Sequence, residues 1–269
     1  MPPVPAPHPD CSLPPDELER EYSPSSMVGG SAAPFVRDYA ERSADAVRGL
    51  GDRVELLADG SRLVRAGADA PLFVFVHGGY WQALSAAESM FLAPAVVARG
   101  WSYGAVEYTI APTGTVEGMI AECRSAIVDL IDVAGSPERV VVAGHSAGAH
   151  LVAMSTLVGS SPVGVERVVL VSGVFDLRPV QMMSVNDALG WSPEQAGRLS
   201  PALHEATGHP AVTVVWGDRD TAAFGRQSRE YAARLREQGL VVDEREYTDR
   251  HHFDILDELP ELLGPGSGV

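Results

Sequence analysis

The sequence predicts an α/β fold in which helices flank a mostly parallel central sheet. Strand-like and helical segments alternate about six times along the chain, which is typical of such folds. The segments Pro71–Val76 and Val140–Ala143 are continuously apolar, as expected for strands buried on both faces. The 269 residues, of which 45% are apolar, suffice for one sizeable core. We therefore expect a single domain over residues 16–269.

The N-terminal part changes character at residue 16. Residues 1–15 contain seven prolines and little that could pack, so we expect a disordered leader. A helical segment is predicted over residues 34–51. Asp59-Gly60 is a hairpin-type turn between strands predicted at residues 54–57 and 61–65.

The alternation then continues to the C-terminus with one interruption. A capping box at Ser85–Glu88 is expected to start a helix that runs to Arg99. Residues 172–207 contain three prolines and no strand pattern, and we interpret them as a small helical lid over the carboxyl edge of the sheet. Gly239 is predicted to end a helix. Further strands are predicted at residues 102–108, 167–171, 210–216 and 241–247, and further helices at 115–134, 222–238 and from 255 to 263.

Composition excludes several classes of function. The 20 basic residues are all arginine, so Schiff-base lysines and Ser-Lys dyads are excluded. The formal charge of −16 argues against nucleic acid or an anionic membrane as partner. Cys11 and Cys123 indicate neither a disulfide framework nor a thiolate metal site, which favours a reduced, cytoplasmic protein. No apolar run reaches the length of a signal peptide or a bilayer span.

The strongest functional signal is the stretch Val140–Leu151, in which an apolar strand meets Gly144-His145-Ser146-Ala147-Gly148 and then a helix. Strand, Gly-x-Ser-x-Gly turn and helix together are typical of a nucleophile elbow. Such a turn exposes the serine hydroxyl at the end of the strand, where a neighbouring base can take its proton. Ser146 is the candidate nucleophile, and the amide of Ala147 can face a developing oxyanion.

An acid and a base follow in the order Ser, acid, His that marks the α/β-hydrolase arrangement. Asp218 and Asp220 compete for the acid, and Asp220 is favoured because it lies deeper in the loop after its strand. His251 and His252 compete for the base, and the residues alone leave this choice open.

Residues 77–82, His-Gly-Gly-Tyr-Trp-Gln, follow a buried strand and match the other half of an oxyanion hole through the amides of Gly78 and Gly79. We expect Tyr80 and Trp81 at the mouth of the pocket and Trp191 of the lid against the substrate. His145 and His150 belong to the elbow and its helix without a third ligand, so no metal site is predicted. No cofactor is expected.

These residues resemble those of the serine-hydrolase type of kynurenine formamidase (arylformamidase). The resemblance rests on residues 77–82 and 144–151, on the stretch Ser-Gly-Val-Phe-Asp-Leu-Arg-Pro at 172–179, and on shorter matches at 186–189, 226–228 and 252–255. Residues 21–25, Glu-Tyr-Ser-Pro-Ser, resemble the N-terminal segment of that family. The chain departs from the family pattern at Phe175, where tyrosine is expected, and between Asp220 and Phe224.

The resemblance implies an α/β-hydrolase fold with Ser146 as nucleophile, Asp220 as acid and His252 as base. It further implies that the enzyme hydrolyses the formamide bond of an N-formyl arylamine such as N-formyl-L-kynurenine, with an aromatic formamide as its small-molecule partner. The alternatives are a broad carboxylesterase with the same triad and a catalytically silent binding module. The sequence leaves open the pathway, tryptophan catabolism or a specialised biosynthesis, and whether the protein is a monomer or a homodimer.

Overall fold

The computed structural model describes residues 6–159, 162–207 and 210–266. One sheet of eight strands runs through it in the order β1-β2-β4-β3-β5-β6-β7-β8. Strands β3 to β8 are parallel, and the hairpin β1-β2 adds two antiparallel strands at one edge. The predicted mostly parallel sheet is therefore confirmed. The strands are β1 Val54–Leu56, β2 Arg62–Val64, β3 Leu72–Val76, β4 Ser102–Val106, β5 Val140–His145, β6 Val165–Val171, β7 Ala211–Gly217 and β8 Val242–Tyr247.

The central strands are buried on both faces. Every residue of β3, β4 and β5 is buried, which explains why β3 and β5 lack the polar alternation of a half-exposed strand. At the edges the pattern changes, and β8 alternates half-buried and exposed positions. The carboxyl ends of β3, β5, β6, β7 and β8 meet along one edge of the sheet, where the loops that follow them can share a site.

Helices cover both faces of the sheet. Thr115 caps the helix after β4 by accepting a hydrogen bond from the amide of Gly118 (3.1 Å). Gly239, at φ 88°, follows the helix after β7 as predicted. The α-helices are α1 Pro15–Glu21, α2 Ala33–Leu50, α3 Ala93–Ala98, α4 Val116–Val133, α5 Ala147–Thr156, α6 Arg178–Gln181, α7 Asn186–Leu189, α8 Pro193–Leu199 and α9 Ala222–Glu237.

The prediction of one continuous helix from Ser85 to Arg99 is wrong in its first half. A 3-10 helix spans Ala87–Leu92, and α3 begins only at Ala93. The Ser85 hydroxyl donates to the side chain of Glu88 (3.0 Å) instead of capping the backbone. The predicted closing helix is also a 3-10 helix, Asp254–Leu262, with Pro260 inside it. Proline cannot donate the backbone hydrogen bond that a regular α-helix would need there.

The expected disordered leader differs from what the structure shows over residues 6–15. Residues 1–5 lie outside the described part of the chain, but His8 and Asp10 are each only 6% exposed. Asp10 accepts a hydrogen bond from the Tyr22 hydroxyl (2.7 Å) and forms an ion pair with Arg226 of α9. The described prolines of this stretch therefore belong to a segment that includes a 3-10 helix at Pro9–Ser12. Its polar groups anchor it to the domain, an arrangement that composition does not reveal.

Residues 172–207 contain α6, α7, α8 and a 3-10 helix at Pro201–Leu203, in keeping with the helical character expected there. This segment packs into the core through the side chains of Val174, Phe175 and Leu177. Over the described residues, no helix is both long and apolar enough to cross a membrane.

Candidate active site

Ser146 lies in the turn between β5 and α5, at the carboxyl edge of the sheet. Its backbone has φ 56° and ψ −121°, a conformation that costs energy for a residue with a Cβ atom and that clusters at functional sites. Its amide donates to the carbonyl of Val171 (2.8 Å), which ties the turn to β6. The predicted strand, turn and helix around the candidate nucleophile are therefore confirmed.

Two glycines allow this turn to form. A Cβ atom on Gly144 would lie 2.2 Å from the carbonyl oxygen of Gly148, and one on Gly148 would lie 2.2 Å from the carbonyl oxygen of Val76. Both distances are far below van der Waals contact, so any side chain would push α5 away from β3 and β5. The spacing of the two glycines follows from this close approach.

Asp220 and His252 form a buried pair. His252 Nδ1 lies 2.8 Å from Asp220 Oδ2, and the two side chains are 4% and 1% exposed. Asp220 Oδ1 accepts the amide N–H of Thr221 (2.9 Å), which fixes the carboxylate. The ring of Phe224 meets the imidazole edge-on at 4.6 Å. The imidazole is therefore held through Nδ1, which leaves Nε2 for other chemistry.

The competing residues have other contacts. Asp218 is exposed, and its carboxylate accepts the amide N–H of Asp249 (2.8 Å). His251 Nδ1 accepts the amide N–H of Phe253 (3.1 Å), and its ring meets Phe35 edge-on at 5.0 Å. Of the two acids and two histidines, the structure brings together Asp220 and His252.

Ser146 and His252 line the same cavity, which has a volume of about 290 Å³. Gly79 and Tyr80 from the loop after β3 also line it, so three loops at the carboxyl edge contribute to one pocket. Candidate nucleophile and candidate base thus share a space large enough for a small aromatic molecule.

The candidate oxyanion donors are the amides of Gly78, Gly79 and Ala147, of which Ala147 directly follows Ser146 in the chain. A Cβ atom on Gly78 would lie 3.0 Å from the Ser146 Cβ, which shows how closely the two backbones approach. Gly79 has φ 98°, and a Cβ atom there would lie 2.2 Å from the carbonyl oxygen of Ala83. Among the described residues none accepts a hydrogen bond from these three amides, so they are available to a ligand oxygen.

His145 fixes the loop that carries His252. Its Nε2–H donates to the backbone carbonyl of His252 (2.8 Å). Burial, and secondarily the charge on His252, hold the pKa of His145 well below its usual value. His145 is therefore a neutral hydrogen-bond donor at pH 7. From the sequence, His145 could be considered only as a metal ligand, and its contact with His252 could not be predicted because residues 145 and 252 are distant in the chain.

Known proteins are similar to this chain over most of its length. A family profile described as BD-FAE matches residues 64–235. Kynurenine formamidase of Danio rerio is 34% identical over 271 residues, which cover 92% of this chain and 92% of that protein. The chain belongs to the kynurenine formamidase family. The resemblance stated from the sequence is therefore confirmed.

Further relatives agree with this assignment. Kynurenine formamidase of Salmo salar is 32% identical and covers 91% of each chain. Among solved structures, a Silicibacter protein described as a candidate thioesterase has a TM-score of 0.83 at 27% identity, covering 91% of this chain and 95% of that one. The α/β-hydrolase fold is confirmed, and the chain is a hydrolase.

Two aromatic residues expected to contact substrate lie elsewhere in this member of the kynurenine formamidase family. Trp81 is fully buried and Trp191 is 4% exposed, and their rings meet at 5.1 Å inside the core. The Trp81 indole N–H donates to His150 Nδ1 (3.2 Å). Of the three residues, only Tyr80 lines the cavity, and its hydroxyl donates to the carbonyl of Tyr22. Trp81 and Trp191 do not line the cavity, because the position of an aromatic residue after a strand or in a lid segment does not tell which way its ring turns.

Several residues that line the cavity had no sequence signal. Val36 and Tyr39 come from α2, and Ser23, Pro24 and Ser25 come from the segment before it. Amphipathic α2 was predicted as a helix, but nothing in the sequence says that it packs over the carboxyl edge of the sheet. Residues 21–25 resemble the N-terminal segment of the family, but that resemblance does not place residues 23–25 at the cavity.

His150 should make the fold sensitive to acid. Burial lowers the pKa of His150 from 6.5 to about 4, while the unfolded chain keeps the ordinary value. Between about pH 6.5 and 4, His150 therefore binds a proton in the unfolded state but not in the folded state. The free energy of unfolding is expected to fall by about 1.4 kcal/mol per pH unit across this window, about 3 kcal/mol in all, from this residue alone.

Urea denaturation at pH 7 and pH 5 measures this effect. His150→Gln is less stable at pH 7, since the bonds to Trp81 and to the carbonyl of Leu199 are disturbed. Its loss of stability between the two pH values should be smaller than that of the unmodified protein by about 2 kcal/mol. An identical loss in both proteins would mean that His150 is not the group that resists protonation.

Proposed function

We propose that the chain hydrolyses the formamide bond of an N-formyl arylamine, with N-formyl-L-kynurenine as substrate and L-kynurenine and formate as products. The observation that carries the proposal is that Ser146 and His252 line one cavity, with His252 held by Asp220, in a chain of the kynurenine formamidase family. A formyl group is the smallest acyl group, so discrimination between substrates has to come from the amine half.

In the first half of the reaction, the Ser146 hydroxyl attacks the formyl carbon while His252 Nε2 takes its proton. Asp220 accepts the Nδ1–H of the imidazolium and stabilises its charge. The amides of Gly78, Gly79 and Ala147 donate to the oxyanion of the tetrahedral intermediate. The C–N bond then breaks, and His252 returns the proton to the departing amine nitrogen.

In the second half, water enters where the amine has left. His252 takes a proton from the water, and the resulting hydroxide attacks the carbon of the formyl ester on Ser146. The second tetrahedral intermediate collapses with cleavage of the bond to the Ser146 oxygen. The proton on His252 returns to that oxygen, and formate leaves.

Release of formate from N-formylkynurenine by the purified protein tests the proposal. We expect turnover on this substrate with a higher kcat/KM than on p-nitrophenyl acetate. A thioester or ester hydrolase is the second candidate, since the Silicibacter structure is described as a candidate thioesterase and an esterase of Mycobacterium tuberculosis is 27% identical over 81% of this chain. Brisk cleavage of p-nitrophenyl acetate without formate release would establish the second candidate, and inactivity on both compounds would point to a silent binding module.

A further inference from the structure

Apart from its two histidines, the described cavity beside Ser146 is lined by no side chain that is charged near pH 7. Among the described residues, no aspartate, glutamate or arginine lines it, and the chain has no lysine. His145 also lines it and is held neutral by burial. An unpaired ammonium or carboxylate would be strongly disfavoured in such a space. A substrate that carries an amino-acid head must therefore leave that head at the mouth, in solvent.

Most polar side chains that line the cavity already form hydrogen bonds within the protein. The Tyr39 hydroxyl donates to the carbonyl of Phe253 (2.7 Å), and the Tyr80 hydroxyl donates to the carbonyl of Tyr22. The hydroxyls of Ser23 and Ser25 have no hydrogen-bond partner within the described residues. Apart from Ser146, Ser23 and Ser25 are the residues lining the described cavity whose hydroxyl groups have no partner within the protein.

The backbone around these two serines is held in place. Tyr22 is fully buried, and its hydroxyl donates to Asp10 (2.7 Å) and accepts from Gln227 (3.0 Å). The carbonyl of Glu21 accepts a hydrogen bond from the hydroxyl of Thr221, next to the candidate acid. Pro24, between the two serines, has a restricted φ angle. A preorganised pair of donors of this kind loses little entropy when a ligand binds.

We propose that Ser23 and Ser25 bind the amine half of the substrate through their hydroxyl groups, so that the site selects an uncharged aromatic ring with a hydrogen-bond acceptor beside the formamide. This inference rests on the proposed function. A ketone oxygen ortho to the formamide nitrogen, as in N-formylkynurenine, is an acceptor of the required kind. Specificity thus comes from apolar contact and two neutral hydrogen bonds.

Three substrates and two variants test the inference. In Ser23→Ala/Ser25→Ala, KM for N-formylkynurenine should rise about tenfold or more, at about 3- to 10-fold per neutral hydrogen bond. The rise for formanilide, which lacks the ketone, should be at least about fivefold smaller. In the unmodified protein, 2-formamidoacetophenone, which keeps the ketone and lacks the charged head, should have a KM within about threefold of that for N-formylkynurenine.

Ser26→Ala is the matched control. It lies on the same segment, but its hydroxyl is exposed, donates to the carbonyl of Arg20 and does not line the cavity. Its KM values should stay within twofold of those of the unmodified protein. Equal KM rises for N-formylkynurenine and formanilide in the double variant would indicate a merely structural role for the serines and would overturn the inference.

Binding measured without turnover separates this inference from the proposed function. In a Ser146→Ala background, calorimetric titration with N-formylkynurenine should give a Kd that the double serine substitution weakens about tenfold. If the protein releases no formate, the proposed function fails, but this Kd comparison still decides the role of the serines. An unchanged Kd, or no binding at millimolar concentration, overturns it.

Discussion

Replacing Ser146 with alanine is expected to lower kcat for N-formylkynurenine by about 10⁴-fold or more, as loss of the nucleophile does in serine hydrolases. Alanine keeps the Cβ atom and the turn but cannot form the formyl ester. The oxyanion amides and the cavity remain, so residual activity above the uncatalysed rate is expected. Formate release at saturating substrate measures the loss.

The same variant also tests whether the serine is reactive. A fluorophosphonate should add its phosphonyl mass to Ser146 of the unmodified protein, whereas Ser146→Ala should stay unlabelled. The Ser146 hydroxyl has no hydrogen-bond partner among the described residues, so the melting temperature should change by no more than a few degrees. A variant that retained more than a hundredth of the activity would require another nucleophile.

Asp220→Asn should lower kcat by about 10³- to 10⁴-fold. An asparagine NH₂ group facing His252 Nδ1 favours the tautomer with its proton on Nε2, which can no longer accept the proton of Ser146. The matched variant is Asp218→Asn. Because Asp218 is exposed and asparagine still offers an oxygen to the amide of Asp249, its kcat should stay within about threefold.

Steady-state kinetics on the two variants decides between the two acids. The melting temperatures of both proteins should be compared first, since Asp220 is buried and its substitution could loosen the loop. A fall in kcat for Asp218→Asn that equalled or exceeded that for Asp220→Asn would contradict the assignment of the acid, whatever the distances in the structure.

The features that the sequence predicted well are local ones. The strand before Ser146, the two glycines around it and the helix after it depend on residues within a dozen positions, so their pattern carries the information. The sequence also predicted Asp220 and His252 as partners, and the structure brings these two side chains together. The choice of His252 over His251 needed the family resemblance, because adjacent histidines differ only in the direction in which the fold turns them.

The features that the sequence did not predict depend on contacts between distant segments. Asp10 is part of a proline-rich stretch by composition, yet its carboxylate meets Arg226 and Tyr22 in the fold. Trp81 follows a motif of the site but turns into the core, where His150 accepts its N–H. Packing of α2 over the cavity is likewise set by tertiary contacts, which periodicity along one helix does not encode.

The contact between Glu21 and Thr221 joins positions 200 residues apart. Ser23 lies two residues after Glu21, and Asp220, which holds His252, directly precedes Thr221. Bringing such remote segments together costs chain entropy, so we expect this contact to form late in folding. Enzymatic activity should therefore be recovered only after most of the secondary structure has formed. A refolding sample can regain its far-UV circular dichroism signal while it is still inactive. Recovered activity is then the stricter measure of a completed fold.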